Sequence, residues 1–121
     1  MAFTYDPRTN KITCPRSNNG VIEVNITGME LKPGDAVEFY IRDRSGSGRI
    51  REIVQYPVDG MCRFSLDSAD TELSPPGKYR WNLRIVTSPV FDESGRLTVA
   101  DSGGDSVTVW NIPPEFEVLE V

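Results

Sequence analysis

The sequence predicts an all-β protein, an antiparallel sandwich of about seven short strands in which residues 1–121 make one domain. Three observations predict it. Apolar residues alternate with polar ones in short stretches, each stretch is closed by Gly, Pro, Asn or Asp, and no segment keeps a 3.6-residue apolar period for three turns. Many short strands separated by turn signals favour two facing sheets over one open sheet, because each strand has only one apolar face to bury. A length of 121 residues encloses one core and is too short for two.

Taken in order, Val21 to Thr27 sets Ile22, Val24 and Ile26 on one face, and Ala36 to Arg42 does the same with Val37, Phe39 and Ile41. Between them, Leu31-Lys32-Pro33-Gly34-Asp35 is a turn in which proline presets φ and glycine accepts a positive φ. Arg42 to Arg49 reads as a hairpin tip, Ile50 to Tyr56 as the returning strand that Pro57 ends, and Asp59-Gly60 as the next turn. Cys62, Phe64 and Leu66 then alternate inward, and Asp67 to Leu73 is a turn or one short helical turn before Ser74-Pro75-Pro76-Gly77. The strongest pattern follows: Tyr79, Trp81, Leu83 and Ile85 line one face while Lys78, Arg80, Asn82 and Arg84 line the other. Pro89 to Gly104 holds two turn signals and reads as a protruding loop or small hairpin. Val107 to Trp110 forms a strand, Pro113-Pro114 breaks the regularity, and Phe116 to Val121 closes the chain as a last strand.

Composition narrows the function. Thirteen Lys and Arg against eighteen Asp and Glu leave a net charge of -5, which repels a phosphate backbone, so nucleic acid is not an expected partner. No apolar run approaches the ~20 residues that cross a bilayer as a helix, so no membrane partner is expected either. The opening Met1-Ala2-Phe3-Thr4-Tyr5-Asp6 has neither a basic n-region nor an apolar h-region, which predicts synthesis in the cytoplasm without an export signal. In such a chain Cys14 and Cys62, in no CxxC pattern, are expected as buried thiols, with a single bridge the alternative. The count of histidines is 0, which removes the commonest general base and the usual imidazole ligand. No GxSxG elbow, phosphate loop or GxGxxG fingerprint occurs, so the reading is of a non-enzyme with no catalytic residue, cofactor or metal. Asp92 with Glu93 and Asp101 with Asp105 match no calcium-loop spacing and are expected as solvated turn residues.

Two binding candidates remain. Arg42, Arg44, Arg49 and Arg51 cluster at the hairpin tip, where guanidinium groups can engage a carboxylate patch or a phosphate-rich polymer on a partner. The plainer reading is a solvated hairpin whose charge protects an edge from aggregation. Trp110 is the other candidate: exposed, it would stack on a sugar and make the chain a carbohydrate-binding module, whereas turned inward it is packing.

The corner Asp70 to Trp81, with Gly77-Lys78-Tyr79-Arg80-Trp81 after a Pro-Gly turn, resembles the corner of immunoglobulin-like sandwiches. The resemblance makes Tyr79 the corner tyrosine and Gly77 part of its turn, and it puts Trp81 where those domains carry a cysteine. The inter-sheet disulfide is then replaced by an aromatic ring. A wider resemblance runs from Leu31-Lys32-Pro33-Gly34-Asp35, through Asp70-Thr71-Glu72-Leu73 and Pro76-Gly77-Lys78-Tyr79-Arg80-Trp81-Asn82-Leu83-Arg84, to Phe116-Glu117-Val118-Leu119-Glu120-Val121. In that order these motifs look like small immunoglobulin-like structural proteins of tailed phages and prophages, nearest to the N-terminal domain of siphophage upper baseplate proteins. The resemblance implies a virion component made in the bacterial cytoplasm, with tail or baseplate proteins, or further copies of itself, as partners.

Overall fold

In a computed structural model of the chain, residues 3–26, 32–43, 48–73, 76–86, 90, 91, 93, 94, 97, 98, 106–110 and 112–120 are described. The elements are β1 (Thr4–Asp6), β2 (Lys11–Pro15), β3 (Gly20–Asn25), β4 (Ala36–Arg42), β5 (Arg49–Gln55), β6 (Met61–Leu66), α1 (Ser68–Thr71), β7 (Gly77–Val86), β8 (Val90–Phe91), β9 (Leu97–Thr98), β10 (Ser106–Thr108) and β11 (Glu115–Leu119). One sheet runs β1-β2-β11-β7-β4-β5, with β10 also paired to β7, and β3 pairs with β6 as the second sheet. β8 and β9 form the small hairpin expected between Pro89 and Gly104.

Alternation places Phe39 of β4 and Phe116 of β11 on the inner face of the large sheet and Phe64 of β6 on that of the small one. All three are fully buried. The Phe39 ring lies 5.7 Å from Phe64 and 6.5 Å from Phe116, so the two sheets meet face to face through aromatic packing. The chain is therefore an all-β sandwich. Within the large sheet β11, β7 and β4 lie side by side, and β3 and β6 pair in the small one.

Local chemistry accounts for the connections. Asp35 N–H donates to the Lys32 carbonyl at 3.0 Å across Pro33-Gly34, with Gly34 at φ 95°, a type II turn. Asp59 and Gly60 both take positive φ, 52° and 77°, which is the type I′ geometry that matches strand twist. Asp67 caps α1: its carboxylate accepts from Asp70 N–H at 3.0 Å and Asp70 returns the bond at 2.9 Å.

Three features depart from expectation, while the break at Pro113-Pro114 falls where the sequence placed it. Among the described residues there are eleven strands, because the Leu97 hairpin and the two N-terminal strands add four to the seven expected. β2 and β11 run parallel, so the large sheet is mixed and not purely antiparallel. The last strand is split: β10 pairs with Val86 to Arg84 and β11 with Arg80 to Gly77, while Val109 N–H to the Leu83 carbonyl and Trp81 N–H to the Pro114 carbonyl, each 3.0 Å, carry the ladder across the gap. Pro113 and Pro114 have no N–H to continue it. Finally, Asn82 is buried although its neighbours in the predicted polar row, Lys78 and Arg80, are exposed.

Cys14 of β2 and Cys62 of β6 are free and buried in opposite sheets. Burial pushes the Cys14 thiol up to about 11 and raises Cys62 as well. We expect an aromatic disulfide reagent to leave both thiols unlabelled in the native protein and to label both in guanidinium. Fast native labelling of either would mean that the core opens.

Candidate functional site

The small sheet has only two strands, and among the described residues β6 is the sole partner of β3. Ile26 N–H donates to the Gly60 carbonyl at 2.7 Å, and bonded pairs alternate along an antiparallel ladder. Ile22 and Val24 therefore bond toward β6, while the N–H and C=O groups of Val21, Glu23 and Asn25 point to the open edge. Across from that edge, β1 stays with β2 in the other sheet.

A cleft of about 660 Å³ lies between the two. Residues 21–26 line it without a break, and so do residues 3–5. Successive side chains of a strand point to opposite faces, so all of them can meet one space only along the strand's edge. Val37, Trp81, Leu83, Ile85 and Trp110 add walls from the large sheet and its kinked last strand. Phe3 sits at the Gly20 end of β3: a Cβ at Gly20 would lie 2.5 Å from its ring, so the missing side chain is what admits the phenyl group. At the mouth, Tyr5, Val21 and Val109 are 53%, 47% and 42% exposed. The one carboxylate on the walls, Glu23, pairs loosely with Arg63 at 3.4 Å, and both are largely in solvent.

The outer face of the large sheet is a different environment. Ala36, Glu38 and Tyr40 of β4 and Asn82 and Val86 of β7 point away from the sandwich core, yet all five are buried. Glu38 is fully enclosed, and its Oε1 accepts from Arg49 Nη1 at 2.6 Å and Arg84 Nη2 at 3.0 Å. Arg49 is also 3.7 Å from Glu52, and its guanidinium lies 3.9 Å from the centre of the Tyr40 ring. Burial pushes the Glu38 carboxyl upward against the opposing pull of Arg49 and Arg84, and burial also lowers Arg84.

The four predicted arginines are divided between these surroundings. Arg42 and Arg49 flank Tyr40 on the outer face, Arg42 at 5.5 Å from the ring centre. Arg51 pairs in register with Ile41 and reaches α1, where Nη2 donates to the Ala69 carbonyl at 3.0 Å and Nε is 3.9 Å from Asp70. Arg44 lies outside the described residues. The structure thus engages Arg49 and Arg51 in internal contacts and does not gather the described arginines into one patch. Of the loop acids, Asp92, Asp101 and Asp105 lie outside the described residues, and Glu93 is exposed.

Trp110 is half-buried, with its ring edge-on to Trp81 at 4.8 Å, and it belongs to the cleft. Its main chain is held by Asn82, whose Oδ1 accepts from Trp110 N–H at 3.2 Å and whose Nδ2 donates to the Trp110 carbonyl at 2.9 Å. That double bond to a loop backbone is why Asn82 is buried, and nothing in its alternation signals it. Trp81 is a core residue whose Nε1–H donates to the Asn10 carbonyl at 3.0 Å, tying the β1–β2 turn to the centre of the sandwich. Tyr79 is buried near the start of β7, and Gly77 opens that strand at φ 144°.

Among the described residues no group of three His, Cys, Asp or Glu side chains is placed to hold a metal, and no helix is long and apolar enough to cross a membrane. No family model, no curated protein and no solved structure matches the chain. The fold and the flank together define a β-sandwich with an apolar cleft along an open strand edge.

Proposed function

We propose that this protein is a non-catalytic assembly module that binds another protein through its open flank, and that it serves in the tail or baseplate of a phage or prophage virion. The observation that carries the binding reading is the cleft itself, apolar in its walls and rimmed by the exposed Tyr5, Val21 and Val109. Apolar side chains left together in solvent are stabilised when a partner covers them. The virion setting rests on the ordered resemblance of the turn and strand motifs to phage immunoglobulin-like proteins. Tail and baseplate proteins, or a further copy of the chain, are the proposed partners.

The test is solution mass by light scattering, over a concentration series and with tail and baseplate proteins encoded beside the gene added in turn. A defined complex is expected, weakened at least tenfold by Val109→Asp or Val21→Lys, both surface changes that leave the core alone. A strict monomer that none of these proteins retains would overturn the reading. Carbohydrate binding is the competing reading, because Trp110 lines the cleft. A shift of tryptophan fluorescence with bacterial wall sugars, and none with virion proteins, would favour it.

A further inference from the structure

We infer that the cleft receives an extended segment of a partner chain, which adds to the small sheet as a third strand beside β3. The inference rests on the protein-binding reading above and names the form of the partner.

Main-chain chemistry sets the form. Val21, Glu23 and Asn25 present three N–H donors and three carbonyl acceptors to the open edge, spaced as one side of a β-ladder. An incoming strand pairs with those groups and sends every second side chain inward, opposite Ile22 and Val24, into the apolar space. The intervening side chains face solvent, and the one beside Glu23 is complemented by a lysine or arginine, since Glu23 is the only carboxylate among the described lining residues and its contact with Arg63 is loose and solvent-exposed. The segment is therefore defined as alternately apolar with a basic residue at one outward position.

A second folded copy is a poorer occupant, for two reasons. Its own edge strand already commits its inward side chains to its own core, so it has none to place in the cleft. The available strip is also small: six residues of strand at ~3.4 Å each, across a layer ~10 Å thick, offer on the order of 200 Å². Two rigid bodies form a stable pair over ~800 Å² per partner. A flexible segment that inserts between the sheets is covered on several sides and does not need that breadth.

The probe is a set of acetylated heptapeptides that alternate valine and threonine, with one central threonine replaced by lysine, read by amide exchange and tryptophan fluorescence. Binding is expected to slow exchange at Val21, Glu23 and Asn25 at least tenfold while Ile22 and Val24, already bonded to β6, change little. Trp110 fluorescence should shift in the same titration. Glu23→Pro removes an edge donor that β6 does not use, so the fold is kept and affinity falls at least tenfold. Peptides N-methylated at alternate amides apply the same test from the other partner: one alternate set should abolish binding.

Peptides that leave the three edge amides unprotected at millimolar concentration overturn the inference. So does binding that is indifferent to both proline and N-methylation, or protection of those amides by self-association of the protein alone. If the inference fails while a virion protein still forms a complex, assembly stands and its contact lies elsewhere; if no virion protein binds but the peptides do, the edge is an acceptor and the virion setting is wrong.

Discussion

Trp81→Ala is expected to leave the protein at or beyond the edge of unfolding at 25 °C. Trp81 is 3% exposed and packs against Phe39 at 5.5 Å and Trp110 at 4.8 Å. Truncating a buried aromatic ring costs about 3–5 kcal/mol, and the Asn10 carbonyl loses its indole donor, worth about 1 kcal/mol more. That sum is comparable to the whole stability of a small domain, about 5–15 kcal/mol. Trp81→Phe keeps a ring but not the N–H and should cost about 1–2 kcal/mol. Guanidinium unfolding followed by circular dichroism separates the variants, and an alanine midpoint indistinguishable from wild type would show that Trp81 does not centre the core. This substitution therefore measures how much of the core's stability the indole ring carries.

Glu38 yields the second large effect, and it depends on which group replaces it. Glu38→Ala deprives Arg49 and Arg84, only 19% and 14% exposed, of the carboxylate they share. Breaking a buried ion pair costs about 3–5 kcal/mol, and the residual exposure of the arginines puts this case at the lower end, about 3 kcal/mol. Glu38→Gln keeps an oxygen for both guanidinium groups and gives up only a charge that burial already disfavours, so its cost should be about 1 kcal/mol or less.

The same carboxyl predicts the pH response. Its folded value is raised by burial above the ordinary glutamate value, so the stability it contributes is fully present below that ordinary value and is lost as pH rises through the folded one. Wild type should therefore gain stability as pH is lowered through the raised folded value toward the ordinary glutamate value, and Glu38→Gln should lack that gain. Glu117 works in the opposite sense: its hydrogen bond to Lys11 lowers it, so its contribution is lost as pH falls through the depressed value. That loss belongs to more acidic solution and comes from a partly exposed pair that solvent screens. A wild-type profile parallel to that of Glu38→Gln would place Glu38 outside the titration.

The proposed binding edge is independent of the Glu38 effect, whereas Trp81 also walls the cleft, so its truncation would alter that wall as well as the core. Trp81 and Glu38 govern whether the sandwich stands, whereas Val21, Glu23 and Asn25 lie on its perimeter, where substitutions leave the core unchanged.

Much of the fold was legible because alternation is a local property. Ala36 to Arg42 is a strand with Val37, Phe39 and Ile41 inward, Met61 to Leu66 alternates as read, and the Pro33-Gly34 and Asp59-Gly60 turns follow from residues that accept the required φ. The buried thiols and the short helical turn at Ser68 were equally accessible. β2 was not read, although Ile12 and Cys14 alternate within it, because five residues closed by a proline make a weak pattern. The surroundings of the arginines were not legible in the sequence: Arg51 sits in register with Ile41, while Arg49 reaches the Tyr40 face at the bulge after Ile41.

What the sequence by itself determined is which residues alternate, where the chain turns, and hence that two sheets must close on a shared apolar layer. Tertiary structure alone decided the rest. Glu38, Tyr40 and Asn82 are buried by what lies over a face that alternation assigns to the outside, and the parallel pairing of β2 with β11 joins opposite ends of the chain. The cleft exists because β1 pairs with β2 and leaves β3, among the described residues, without a second neighbour, a choice among edges far apart in sequence. A strand's two faces are written in its own residues, but the partner that each edge meets is settled only when the whole chain has folded.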